Sequence, residues 1–210
     1  MKWLIISGGK PPKKETIVKY IDNGFSIIAA DSGANSLYKY NIIPKILLGD
    51  FDSIDKNVLE YFKDKCEITK YPKEKDYTDT EIALEKAIEL NAKEIVFLGC
   101  TGTRVDHLIG NLCILNKAIN RGVDAHIVDE NNKITMIKES KTIYGKKGDI
   151  FSVFAFNTKV ESLSVKNAKY ELKDYNLEVE DSLTVSNEFV ENEVYLEFSS
   201  GTLMIIRSVD

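Results

Sequence analysis

The spacing of apolar runs constrains this chain more than any other feature. Over about the first 130 residues, short hydrophobic runs alternate with amphipathic stretches. Trp3 to Ile6 reads as a strand ending in Ser7-Gly8-Gly9. Glu15 to Asn23 reads as a helix closed by Gly24, a residue suited to the left-handed conformation past a helix end. Ser26 to Ala30 is a second strand, ending at Asp31-Ser32-Gly33, and a helix through Leu37 and Tyr40 follows. Ile46-Leu47-Leu48 is a third strand ending at Gly49-Asp50, and Tyr71-Pro72 marks a turn. Thr78 to Leu90 is the clearest helix. It opens on Thr78-Asp79-Thr80-Glu81, a capping-box pattern, and Ile82, Ala83, Ala87, Ile88 and Leu90 form much of its apolar face. Ile95 to Leu98 is a strand, Leu108 to Ile119 a helix with Gly122 beyond it, and Ala125 to Val128 a closing strand. Repeated strand-helix alternation predicts a mainly parallel, Rossmann-like sheet covered by helices.

Past residue 130 the period changes. Ile150 to Phe156, Leu163 to Val165, Leu183 to Val185, Val194 to Phe198 and Leu203 to Ile206 are short, β-branched and aromatic, and no helix-length amphipathic run survives. Phe198-Ser199-Ser200-Gly201-Thr202 reads as a hairpin connection. These runs predict an antiparallel β-sandwich. The boundary falls between Asp129 and Gly148, which gives an α/β domain over 1–132 and a β domain over 133–210. A chain of 210 residues is long enough for two such cores.

Composition excludes several classes. The formal net charge is −5 with no basic stripe, which argues against a nucleic-acid surface. Trp3 to Ile6, the longest early apolar stretch, is too short for a signal-peptide core or a membrane span, so no membrane association is expected. Cys66, Cys100 and Cys113 are odd in number and lack metal-ligand spacing, which fits free thiols in a cytoplasmic protein.

The acids fall at strand ends. Asp31 follows one apolar run, Asp50 and Asp52 another, and Thr101, Gly102, Arg104 and Asp106 a third. Ligands of open α/β sheets bind beyond the carboxyl ends of strands, so these residues are expected to converge, joined by Asp76 and Asp79. Asp50 and Asp52, two apart on an extended segment, point the same way and suit one magnesium ion, a hard cation that takes oxygen ligands. The plainer readings are that Asp79 complements a helix dipole and that Asp52-Ser53 caps the next helix. Gly8-Gly9 and Ser32-Gly33-Ala34-Asn35 lead into helices, where backbone amides either approach a phosphate or form only a tight turn. A Walker-type loop is absent. Arg104 has the geometry to clamp phosphate, with Asp106 beside it. His107 is either a ligand or a first-turn residue, and Asn111 lies one turn further on the same side. His126, inside a strand, is not expected to be catalytic.

Gly49-Asp50-Phe51-Asp52-Ser53, Asp76-Tyr77-Thr78-Asp79, Gly102-Thr103-Arg104-Val105-Asp106-His107 and Ser186-Asn187-Glu188-Phe189 occur in the order found in thiamine pyrophosphokinases, and Asp31-Ser32-Gly33-Ala34-Asn35 is similar to a turn of that family. The resemblance spans essentially the whole chain. It implies an ATP- and magnesium-binding α/β domain and a thiamine-binding, dimerising β-sandwich. It also implies a homodimer whose active site is shared between subunits, and transfer of diphosphate from ATP to thiamine with release of AMP. Carried over by motif, Asp50, Asp52 and Asp79 engage magnesium and the triphosphate, and Arg104 and Asp106 line the same pocket. Asp31, Ser32, Gly33, Asn35, Lys75, Asp76, Thr78, His107 and Asn111 join the binding site, and Ser186 with Asn187 reach thiamine from the partner subunit. Phe189 is a candidate face for the cationic thiazolium, or a core residue. Two positions depart from relatives: Lys75 stands where some carry glutamine, and Ser32 where many carry glycine. Two rivals remain. One is a haloacid-dehalogenase-like phosphatase with Asp50 as nucleophile. The other is a nucleotide-sensing dimer without turnover.

Overall fold

The computed structural model describes residues 1–74 and 76–209. The fold is mixed α/β, and the chain divides into two compact units, Met1–Glu130 and Asn131–Asp210.

In the first unit, β1 (Lys2–Ile6), β2 (Ser26–Ala30), β3 (Ile46–Gly49), β4 (Glu67–Lys70), β5 (Glu94–Leu98) and β6 (Asp124–Val128) form one sheet. Neighbours are parallel throughout, in the order β6-β5-β1-β2-β3-β4. The connections carry α1 (Lys14–Asp22), α2 (Gly33–Tyr40), α3 (Lys56–Phe62), α4 (Asp79–Glu89) and α5 (Val105–Asn120). Trp3, Leu4, Ile5 and Ile6 are all fully buried, because a parallel strand covered on both faces leaves no side wet. Alternate residues of the strands (Leu4 and Ile6, Ile27 and Ala29, Val96 and Leu98) join Ile17, Leu37, Val58 and Phe62 of α1 to α3 in one core. Helix α4 packs on β1, β2, β3 and α5 through a face that buries Ala83, Leu84 and Ala87.

Two elements of this unit escape the sequence reading. Edge strand β4 has no fully buried residue and so lacks an apolar run. Helix α3 is short and starts after Asp55, whose side chain makes no capping bond, so Asp52-Ser53 is not its cap. The chain steps outward from β1 to β4 and then returns past β1 to β5. The ends of β1 and β5 are therefore the point where connections diverge, the usual place for a ligand in such sheets.

The second unit holds β7 (Asn132–Ile137), β8 (Lys141–Tyr144), β9 (Ile150–Ala155), β10 (Val160–Lys166), β11 (Leu172–Leu177), β12 (Asn187–Glu188), β13 (Glu193–Glu197) and β14 (Leu203–Ser208). They pair antiparallel in the orders β12-β9-β14-β7 and β11-β10-β13-β8. Both groups contribute to one core, with Phe151, Val153 and Leu203 from the first and Leu163, Val165 and Leu196 from the second. Phe198 to Thr202 is not a hairpin: β13 and β14 lie in different sheets, so the segment crosses from one to the other. Gly201 there has φ +104°, and a Cβ on it would lie 2.5 Å from the Lys159 carbonyl oxygen. Leu183 to Val185 is a turn with Leu183 and Val185 half exposed, not a strand. Strands β7, β8 and β11 mix polar with apolar residues and were invisible to the apolar pattern. No described helix is long and apolar enough to cross a membrane.

A candidate carboxylate site at the strand ends

Asp31 directly follows β2, Asp50 directly follows β3, and Asp79 opens α4. One carboxylate oxygen from each lies within 4.8 Å of the others. The local sequence makes this convergence possible. Asp31 takes a left-handed conformation, φ 45°, sparsely populated outside glycine and asparagine, and its N–H donates to the Leu48 carbonyl at 2.8 Å. A Cβ on Gly49 would sit 3.0 Å from the Asp31 Cβ, so glycine there lets the two turns close on each other. Phe51 is also left-handed, φ 66°. That turn removes the extended geometry on which the pairing of Asp50 with Asp52 rested. Asp52 instead donates its N–H to Asp50 Oδ1 at 3.0 Å, while its exposed carboxylate pairs with Lys73.

Asp31 is 9% exposed, and its Oδ1 accepts no hydrogen bond from any described residue. Burial pushes its carboxyl above the ordinary aspartate value, and the nearby Asp79 and Asp50 add to the rise. The N–H groups of Ser32 and Phe51 oppose it. A buried, strained carboxylate facing two more acids calls for a positive charge. All the donors are oxygens, which suits a hard divalent ion such as magnesium, and among the described residues Asp31, Asp50 and Asp79 could hold one.

Beside Asp79 opens a cleft of about 440 Å³, lined in part by its neighbours Thr78 and Thr80 and by Asp106, His107, Asn111 and Lys117. Thr78 caps α4 by accepting from the Glu81 N–H at 3.2 Å. The Glu81 carboxylate accepts from Lys117 at 2.9 Å, so it serves the contact with α5. Arg104 and Asp106 are exposed and form a bidentate pair with each other, at 3.2 and 2.6 Å, which holds the Asp106 carboxyl below its ordinary value. Asn111 donates to the Cys100 carbonyl at 2.8 Å, a bond that ties α5 to the end of β5. His107 and Asp76 are exposed. Ser32 abuts Gly8 so closely that a Cβ on Gly8 would meet its Oγ at 2.0 Å, and Asn35 Oδ1 accepts from the Asp55 N–H at 3.5 Å. Lys75 lies outside the described residues.

In the second unit, Ser186 is exposed with φ 57°. Asn187 is buried, its amide engaged on both sides: Oδ1 accepts from Tyr170 and Glu188 N–H groups, and Nδ2 donates to the Tyr170 carbonyl at 2.8 Å. Phe189 is fully buried against Phe151 and Arg207, so its ring is a core element and not a face open to a thiazolium. The sequence reading did not single out Ser7, whose hydroxyl shares a 2.9 Å hydrogen bond with Thr80, or Lys73 beside Asp52. The position of Ser7 immediately after β1 was the available signal.

The chain is similar to known proteins along its whole length. The thiamine pyrophosphokinase of Bacillus subtilis (strain 168) is 29% identical over 209 residues, 98% of each chain. The solved structure of a B. subtilis thiamine pyrophosphokinase superposes with a TM-score of 0.90 at 27% identity, covering all of both chains. That of the Geobacillus thermodenitrificans enzyme gives 0.85 at 30% identity, covering 100% of this chain and 98% of the other. The family model for the thiamin pyrophosphokinase catalytic domain matches residues 17–127, the stretch that carries the three carboxylates, and the model for the vitamin B1 binding domain matches 131–203. With both models matched in sequence order, the chain belongs to the thiamin pyrophosphokinase family.

Proposed function

We propose that this protein is a thiamine pyrophosphokinase, which transfers the diphosphate of ATP to the hydroxyl of thiamine and releases AMP. Family membership supports the reaction, and one observation carries the assignment of the site. Three carboxylates converge, two following strands and one opening a helix, and one of them is buried, left-handed and with an oxygen that has no partner among the described residues. A magnesium ion bound there supplies charge neutralisation and orientation for the polyphosphate.

The chain's own residues do the rest. Asp31, Asp50 and Asp79 fix the site from three elements, and Asp52 joins them by releasing Lys73. The exposed Arg104 exchanges part of its pairing with Asp106 for phosphate oxygens. Thr101 Oγ1, buried and without a partner among the described residues, offers a further donor. In the transfer, the thiamine oxygen forms a bond to the β-phosphorus. The bond from that phosphorus to the α–β bridging oxygen breaks, AMP leaves with the oxygen, and the hydroxyl proton passes to a carboxylate. The succession of parallel strands with one return past β1 supports a Rossmann-like description of the first unit, and the shared core of the two antiparallel sheets supports a sandwich in the second. Exposed Leu183 and Val185 beside Ser186 support a thiamine-facing, dimerising role for the second unit in a homodimer.

The test is incubation with ATP, magnesium and thiamine, with AMP and thiamine diphosphate followed by chromatography. Asp50→Asn and Asp52→Asn are expected to abolish turnover while leaving the fold intact. Binding of both ligands without AMP would favour a sensor, and a phosphoaspartate trapped on Asp50 would favour a phosphatase.

A further inference from the structure

Asp79 is the first residue of α4, a position where helices fray. Its carboxylate is placed only as well as that turn is placed. The two threonines beside it use their hydroxyls differently. Thr78 accepts from the Glu81 N–H and closes the turn on itself. Thr80 reaches outside the helix, to Ser7 at 2.9 Å, across 73 positions of sequence. Both partners are nearly inaccessible, Ser7 at 6% and Thr80 at 9% exposure, so water does not compete for the bond. Ser7 is itself anchored, its N–H donating to the Leu98 carbonyl at 2.9 Å at the end of β5. The helix start is thereby tied to the central strands β1 and β5.

We infer that Ser7 and Thr80 are a positioning pair that holds Asp79 in register with Asp31 and Asp50. Apolar residues of similar shape would fill the same volume, but a hydroxyl pair adds direction. Direction is required here because three like charges within 4.8 Å push the start of α4 away from the strand ends. Neither hydroxyl belongs to the carboxylate group, so the pair acts through Asp79. The inference rests on the reading that the carboxylates hold a divalent cation.

The experiment compares the parent with Thr80→Val, Thr80→Ser, Ser7→Ala and the double variant Ser7→Ala/Thr80→Val. Manganese binding is titrated by calorimetry without substrates, kcat and KM for ATP are measured with magnesium, and unfolding is followed in metal-free buffer. Thr80→Val and Ser7→Ala are each expected to weaken manganese binding about three- to tenfold and to lower kcat about tenfold, with metal-free unfolding close to the parent's. Thr80→Ser should recover both, and the double variant should be no worse than either single one, as for residues acting through one bond. Parent-like binding and turnover in Thr80→Val would overturn the inference. So would additive losses in the double variant, or losses that follow stability and are not recovered by serine. If Thr80→Val does not fold, Ser7→Ala decides from the other end of the bond. A parent that binds no manganese would instead remove the carboxylate-site reading, and the pair with it.

Discussion

At the scale of single residues, Asp31 combines a buried carboxyl with a left-handed backbone. A carboxyl with a raised folded-state pKa stabilises the fold only while protonated. That contribution is complete below the ordinary aspartate value of 3.8 and is lost as pH rises through the higher folded-state value. Asp31→Asn, which tolerates the left-handed backbone, should therefore raise metal-free stability at neutral pH. A gain of about 1 kcal/mol would move the thermal midpoint by roughly 2–4 °C in a chain of this size. The gain should shrink on acidification toward the ordinary aspartate range, and magnesium should stabilise the parent more than the variant; scanning fluorimetry across pH reads both. The cysteines separate in the same way. Burial pushes the Cys100 thiol up to about 12, whereas Cys113 is exposed on α5 and lines the cleft. At neutral pH a maleimide should label Cys113 and spare Cys100, as peptide mass spectrometry would show.

At the scale of elements, the close approach of α2 to β1 depends on Gly33. A Cβ there would lie 2.0 Å from the Ile6 carbonyl oxygen, a backbone atom that cannot swing aside. Gly33→Ala should cost about 3 kcal/mol or more, by displacing the turn that carries Asp31. Gly110 is the opposite case: it lies inside α5, and an added Cβ meets nothing within 4 Å. Gly110→Ala should stabilise by about 0.5–1 kcal/mol through helix propensity. Urea unfolding of the two variants tests whether close approach, and not glycine content, governs these sites.

At the scale of the whole molecule, the proposed homodimer agrees with unpartnered apolar surface. Leu183 and Val185, in the turn before β12, are 50% and 46% exposed. Multi-angle light scattering should give twice the chain mass of 23.7 kDa. Leu183→Glu should shift the mass toward the monomer and depress turnover by at least about tenfold if the site is shared between subunits.

The sequence by itself determined the strand-helix alternation, because strands buried on both faces must be continuously apolar, and it placed Asp31, Asp50 and Asp79 at strand and helix ends. It also carried the motif order that marks the family. Edge strand β4 and the mixed strands β7, β8 and β11 stayed hidden, since half-exposed strands carry no unbroken apolar signal. Tertiary structure alone decided which acids meet. The left-handed turns at Asp31 and Phe51 bring Asp31 against Asp50 and turn Asp52 toward Lys73, and backbone dihedrals of that kind are not set by residue spacing. It also decided that Phe189 belongs to the core and that Ser7 reaches Thr80. Contacts 73 residues apart depend on how strands and helices pack, and no local pattern records them.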